Sequence, residues 1–242
     1  MTQPRRGSHD GHECHRNILV CRGWFFFALF ALFRSSLSIG LLERPLVVGF
    51  FWGMLFGNMQ ASLSCAIFYE LLWLDFLPVG TFIPPHMTAA TFSCLLLVTH
   101  FGLDEPPFVF LALIAGLPMA WLGARLDRTM RDRLNRSYNG VLQWVRKPVG
   151  ENVPTQLILR TLIGKALVFW LFFIILNGLL ALAVGSILMD YSGQIASLKL
   201  EWYQFWISAS IGGLLALRLR SLYLSVGAGA IVFGILRYIG IF

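Results

Sequence analysis

Glu70 is the side chain in this sequence best placed to do chemistry. It lies in the apolar run SCAIFYELLWLDF with no basic residue within a helical turn. A carboxylate in that setting is costly, by several kcal/mol, unless it is hydrated, protonated or bound. It therefore reads either as a ligand for a sugar hydroxyl or a cation, or as one half of an ion pair, for which Arg44 is a candidate partner. Asn58 and Gln60 offer amide donors and acceptors suited to neutral polyhydroxy ligands. The same groups would equally satisfy free backbone groups at a helix end. Trp52, Tyr69 and Trp73 can stack on a sugar face, or act as core residues and interfacial anchors. His86, directly after Pro84–Pro85, reads as a hydroxyl contact or as a loop histidine at the membrane edge, and Asp75 as a cap or a water-facing acid. His9, His12, Cys14 and His15 could hold a soft metal, but their spacing matches no zinc or redox pattern and a solvated tail is the expectation; no metal site is expected. Ser62, Ser64 and His100 lack a context that makes a nucleophile and base of them. No phosphate-binding loop, dinucleotide fingerprint or HExxH is present, so the chain is expected to have no catalytic residue and no cofactor.

The elements that position these residues follow from composition. Of 242 residues 57% are hydrophobic and only 13% charged, with a mean hydropathy of +0.71. A soluble domain carries about 25% charged residues; half that supply cannot make a water-facing surface, and lipid explains the difference. The expected fold is all-α: a polytopic integral membrane protein with six to eight hydrophobic segments. Residues 1–16 form a polar tail, and 17–242 a single transmembrane domain opening with an apolar segment over 17–42. Residues 45–57 and 61–77 are short, and Pro78, Gly80 and Pro84–Pro85 interrupt the chain between residue 77 and the next apolar run. Broken or re-entrant helices are expected around 45–86, and the spacing of Gly49, Gly53 and Gly57 predicts close backbone packing. Further spans are expected over 87–102, 108–124, 161–189, 202–217 and 223–242. Cys65 and Cys94 read as packing residues.

The formal net charge of +7 reflects Lys and Arg gathered in loops, not nucleic-acid binding. The segment 125–159 is polar and basic, with Arg125, Arg128, Arg131, Arg133, Arg136, Arg146 and Lys147, and reads as a cytoplasmic loop, together with the N-terminus. The loops 103–107 and 190–201 then lie outside. Charge parity asks residues 43–86 to cross the membrane once in net terms, as a span plus a re-entrant element.

Residues 43–86 also resemble a known family, the IIC subunits of the mannose–fructose–sorbose family of the bacterial phosphotransferase system. The resemblance rests on Arg44–Pro45–Leu46–Val47, the link Gly57–Asn58–Met59–Gln60, the segment Tyr69–Glu70–Leu71–Leu72–Trp73–Leu74, and Pro84–Pro85, in order and at the right intervals. It implies a membrane subunit of a sugar permease, in the bacterial cytoplasmic (inner) membrane, translocating a hexose or amino sugar. It implies a IID membrane subunit as partner, soluble IIA and IIB phosphocarriers, and an oligomeric assembly. No phosphorylated residue is implied in this chain. Glu70 matches the family pattern, and with Asn58, Gln60, Trp73 and His86 is the expected substrate-binding set. Departures are Asn58 and His86, where the family carries acids, and Asp75, where it carries a small residue. Losing carboxylates removes charge-assisted bonds to sugar hydroxyls. Two other readings stand beside this one: a non-transporting membrane scaffold of the same fold, and a proton-coupled secondary carrier using Glu70 and Asp75.

Overall fold

Gly57 sets the geometry of the first described elements. Helix α1 (Pro45–Phe56) starts from an extended Arg44, with proline in its first turn where no N–H is needed. It stops at Gly57, whose φ of 80° is left-handed and whose N–H bonds the Gly53 carbonyl. Asn58 then caps helix α2 (Met59–Leu72) through its side chain. The chain reverses over these two residues, so α1 and α2 form an antiparallel hairpin. The hairpin is tight because its glycines face the partner helix: a Cβ at Gly49 would overlap that of Ala66 and sit 2.9 Å from the Ser62 carbonyl oxygen. This is the close packing the glycine spacing predicts at Gly49 and Gly53, whereas Gly57, with nothing within 4 Å of where its Cβ would sit, ends the helix instead.

The structure is a computed structural model, which describes residues 44–74, 85–146, 153–217 and 220–238. The polar tail with its histidines and Cys14, the apolar segment 17–42, Asp75, Pro78, Gly80 and Pro84 lie outside the described residues. After the hairpin come α3 (Met87–Phe101), α4 (Pro106–Arg146), α5 (Val153–Ala196), α6 (Trp202–Ala216) and α7 (Arg220–Tyr238), with no strand among the described residues.

Cross-helix contacts fix the directions. Asn58 bonds Asp104 at the start of α4, and the Tyr69 hydroxyl donates to the Leu113 carbonyl at 2.7 Å; α2 and α4 therefore run parallel. His86 donates its backbone N–H to Ala120 at 2.9 Å, so α3 starts near the far end of the α4 span and returns antiparallel to it. Gly185 of α5 lies against the Phe101 ring, and Phe169 lies near His86 at 6.0 Å between ring centroids, so α3 and α5 run parallel. The core sits where α2, α3 and α4 meet, around the fully buried Tyr69, Phe92, Leu95, Leu97 and Leu113. Gly116 makes room for the Tyr69 phenol, and Gly213 of α6 for the Leu71 carbonyl; a Cβ at either would collide with that group.

Among the described residues two helices are long and apolar enough to cross a membrane, Pro106–Arg133 and Leu159–Ala196. Only 22% of the apolar window of the second is buried. Leu167, Leu171, Ile175, Leu179 and Leu182 form an exposed stripe along it, a surface suited to hydrocarbon and not to water. The helices α1 to α3 have 12, 14 and 15 residues. At about 1.5 Å per residue they are shorter than the roughly 30 Å hydrocarbon core.

Two details differ from the expectations from sequence. The polar stretch 125–159 is not a loop over most of its length: α4 continues to Arg146 and α5 begins at Val153. Arginine is a good helix former, and Asp127 pairs with Arg131 one turn on, so polarity here marks where the helix leaves the apolar layer, not where it ends. The broken element expected around 45–86 is, over 45–72, the α1–α2 hairpin of two short helices. Arg44 and Glu70 lie together at its open end, so residues 45–72 go out and come back. The single net crossing asked of this region by charge parity is not made by these two helices.

Candidate functional site

At the open end of the hairpin, the Arg44 guanidinium donates to Glu70 Oε1 at 3.0 Å, and the backbone N–H of Leu46 donates to Oε2 at 3.3 Å. Leu46 is in the first turn of α1, whose early N–H groups have no partner within the helix. The carboxylate thus gains from the adjacent guanidinium and from the positive end of the helix dipole. Its side chain is 20% exposed and that of Arg44 is 39% exposed. A carboxylate offers about four acceptor positions and two are engaged here, so Glu70 keeps acceptor capacity toward a hydroxyl donor. The Arg44 pairing weighed against a ligand role in the sequence is present, and the geometry leaves room for both.

Packing along α2 locks the aromatics beside it. Trp73 closes α2 and stacks on Tyr69 with ring centroids 5.1 Å apart and planes at 7°. Tyr69 is fully buried and anchored on Leu113. Trp73 is 8% exposed, so the ring face toward Tyr69 is covered. Trp52 belongs to the helix packing: its indole N–H donates to the Thr99 hydroxyl at 2.9 Å, tying α1 to α3.

The tip of the hairpin is a separate place. Asn58 Oδ1 accepts the Ala61 N–H at 3.2 Å, and Nδ2 donates to Asp104 Oδ1 at 2.5 Å. Gln60 is exposed in the first turn of α2. From residue 58 to residue 70 the rise is about 18 Å at 1.5 Å per residue, too far for one monosaccharide to touch both ends. The predicted set is therefore divided: Glu70 and Trp73 at the open end, Asn58 and Gln60 at the tip.

His86 takes a third position. It caps α3, with Nδ1 accepting the Ala89 N–H at 3.1 Å, and it is buried at 2% exposure. Gly123 of α4 lies against it, where a Cβ would come within 2.8 Å of the His86 Cβ. Cys65 and Cys94 are buried free thiols, as expected of packing residues.

Sequence reasoning missed Asp127. It is buried between α4 and α5, 3.1 Å from the Arg131 guanidinium and 3.7 Å from the Lys165 ammonium. The Asp127/Arg131 spacing of one turn was legible once the segment is read as helix; the Lys165 partner was not. Asp104, in the loop 103–107 and not named among the candidate residues, is the partner that holds the hairpin tip. No group of three or more metal-ligating side chains occurs among the described residues.

Helices with lipid-suited faces, a hairpin of short helices and polar groups gathered at its two ends define an all-α membrane protein. A solved structure titled "Structure of membrane protein" shares this fold, with a TM-score of 0.60 and 15% identity over 92% of each chain. No curated protein matches the sequence. Residues 20–216 match the family described as "PTS system sorbose-specific iic component". The chain belongs to that family, the sorbose-type IIC components of the phosphotransferase system, and is a membrane subunit of a sugar transporter of that system.

Proposed function

We propose that this chain forms part of the path by which a hexose or amino sugar crosses a bacterial inner membrane while partner subunits phosphorylate it. Family membership over residues 20–216 carries this reading. A IID membrane subunit would complete the path within an oligomer, and soluble IIA and IIB carriers would deliver the phosphoryl group. Residues 17–242 form one transmembrane domain behind the tail 1–16. The N-terminus and the basic stretch 125–159 face the cytoplasm, where arginines concentrate by the positive-inside rule and where the stretch can meet a soluble carrier.

Glu70 is the residue we assign to the sugar. Its pairing with Arg44 presents acceptors and donors side by side at the partly open end of the hairpin, the combination that vicinal hydroxyls need. Trp73 lies at the same end of the hairpin as Glu70; Asn58, Gln60 and His86 join them in substrate binding if the hairpin moves during transport, since they sit at separate places in this conformation.

The test is phosphoenolpyruvate-dependent phosphorylation of a panel of hexoses and amino sugars. It uses membranes holding this chain with its IID partner, the IIA and IIB proteins and the general carriers. We expect activity on at least one sugar, and loss of about a hundredfold in Glu70→Gln, equivalent to about 3 kcal/mol of lost stabilisation. One observation favours a second reading, a non-transporting scaffold: both oxygens of Glu70 and both amide atoms of Asn58 already serve the hairpin. An assembled complex inactive on every sugar, with carriers proven on a reference permease, would select that reading.

A further inference from the structure

Along α4 one exposed stripe changes character from apolar to cationic. Ile114, Pro118, Trp121, Arg125 and Arg128 recur at steps of four, three, four and three residues, which places them on one face of a helix, and all five are exposed. Ile114 and Trp121 are 47% and 64% exposed, although the core of the bundle lies on the other side of this helix. The Arg125 guanidinium lies over the Trp121 ring, 4.8 Å from its centroid, an attraction that orients the cation beside the aromatic surface. The charge of Asp127 does not neutralise this face, because that carboxylate is buried between Arg131 and Lys165. Asp132 lies one turn beyond Arg128 and closes the cationic stretch.

We propose that this stripe is a binding site for one anionic phospholipid. The acyl chain lies along Ile114, Pro118 and Trp121, and the headgroup phosphate is held by Arg125 and Arg128. Length selects lipid over a soluble anion. From Ile114 to Arg128 the helix rises about 21 Å at 1.5 Å per residue. One leaflet is about half of a 40–45 Å bilayer, so the apolar and cationic parts of the stripe match the two parts of a single lipid. Chemistry selects the headgroup: a guanidinium pair suits a phosphate through charge-assisted hydrogen bonds, and an exposed tryptophan suits the level where chain meets headgroup. A soluble acidic carrier would meet the arginines but would leave Ile114 and Trp121 uncovered.

Native mass spectrometry of the purified full chain in detergent, with phosphatidylglycerol or phosphatidylcholine added stepwise, tests this. We expect phosphatidylglycerol to be retained more strongly than phosphatidylcholine. We expect on the order of thirtyfold weaker retention in Arg125→Gln/Arg128→Gln, from about 1 kcal/mol for each of the two arginines near a headgroup, and retention close to the parent in Arg125→Lys/Arg128→Lys. Equal binding of the two lipids, or an unchanged Gln variant, overturns the proposal. Displacement of the lipid by inorganic phosphate at matched concentration assigns a free-anion site instead and overturns it as well. Should the Gln variant fail to fold, a salt titration of the parent decides: the preference for phosphatidylglycerol falls as salt screens the arginines, and a salt-independent preference overturns the assignment.

Discussion

Two acids sit among apolar helices in this protein, and their surroundings assign them opposite tasks. Asp127 is enclosed between α4 and α5 with its side chain 4% exposed and two cations against it. Glu70 is 20% exposed and meets one guanidinium, itself 39% exposed, and one backbone N–H. The first has little acceptor capacity or solvent access left, so its work is to join two helices. The second keeps both, so it can exchange part of its bonding for a ligand. An acid in a membrane segment is thus a prompt to ask how many of its bonds are already made, and only the remainder is available to function.

This contrast is sharpest in stability. Asp127→Asn leaves the Lys165 ammonium, 20% exposed, without its carboxylate, and breaking a buried pair from one side costs about 3 kcal/mol. We expect the largest drop in thermal midpoint of any polar change tested in detergent. A midpoint like the parent's would mean the ion pair does not hold α4 to α5. Gly213→Val is expected next, at about 1–3 kcal/mol, because the added carbons run into the Leu71 carbonyl across the α2–α6 contact; unfolding by the same assay checks it. At the hairpin tip, Asn58→Asp keeps the cap oxygen but sets a carboxylate against Asp104. It should cost about 1 kcal/mol. Combining it with Asp104→Asn should restore most of that, and a double-mutant cycle showing plain additivity would remove the clamp. Glu70→Gln should be the smallest, below about 1 kcal/mol, because the pair is partly exposed and screened, while sugar phosphorylation is lost. A large stability loss with activity retained would reverse the comparison and make Glu70 the structural acid.

Much of the fold was legible. The apolar segments near 87–102, 108–124 and 202–217 coincide with helices, of which the one at 108–124 is long enough to span a membrane, because continuous apolar runs bounded by Gly, Pro and charge have few other solutions. The break at Gly57–Asn58 was legible because glycine accepts the left-handed conformation that ends α1. The extent of α4 past Arg125 was not, since loss of hydropathy reads like loss of helix although the backbone bonds continue unchanged in water. Of the site, Glu70 was named as its leading ligand, and Arg44 only as the ion-pair partner that would compete with that role. The division of the site residues between the two ends of the hairpin was not read, because it needs 59–72 to be one unbroken helix, which puts about 18 Å between residues 58 and 70.

By itself the sequence determined that the chain must live in lipid, that it is helical, that its helices near residue 57 are short, and which side chains are costly enough to need a partner. These follow from local composition and from the cost of an unsatisfied polar group in hydrocarbon. Tertiary structure decided which partner each one has: Arg44 for Glu70, Asp104 for Asn58, Lys165 for Asp127. Such pairs join residues far apart in the chain, and only the packing directions of α1 to α5 bring them together.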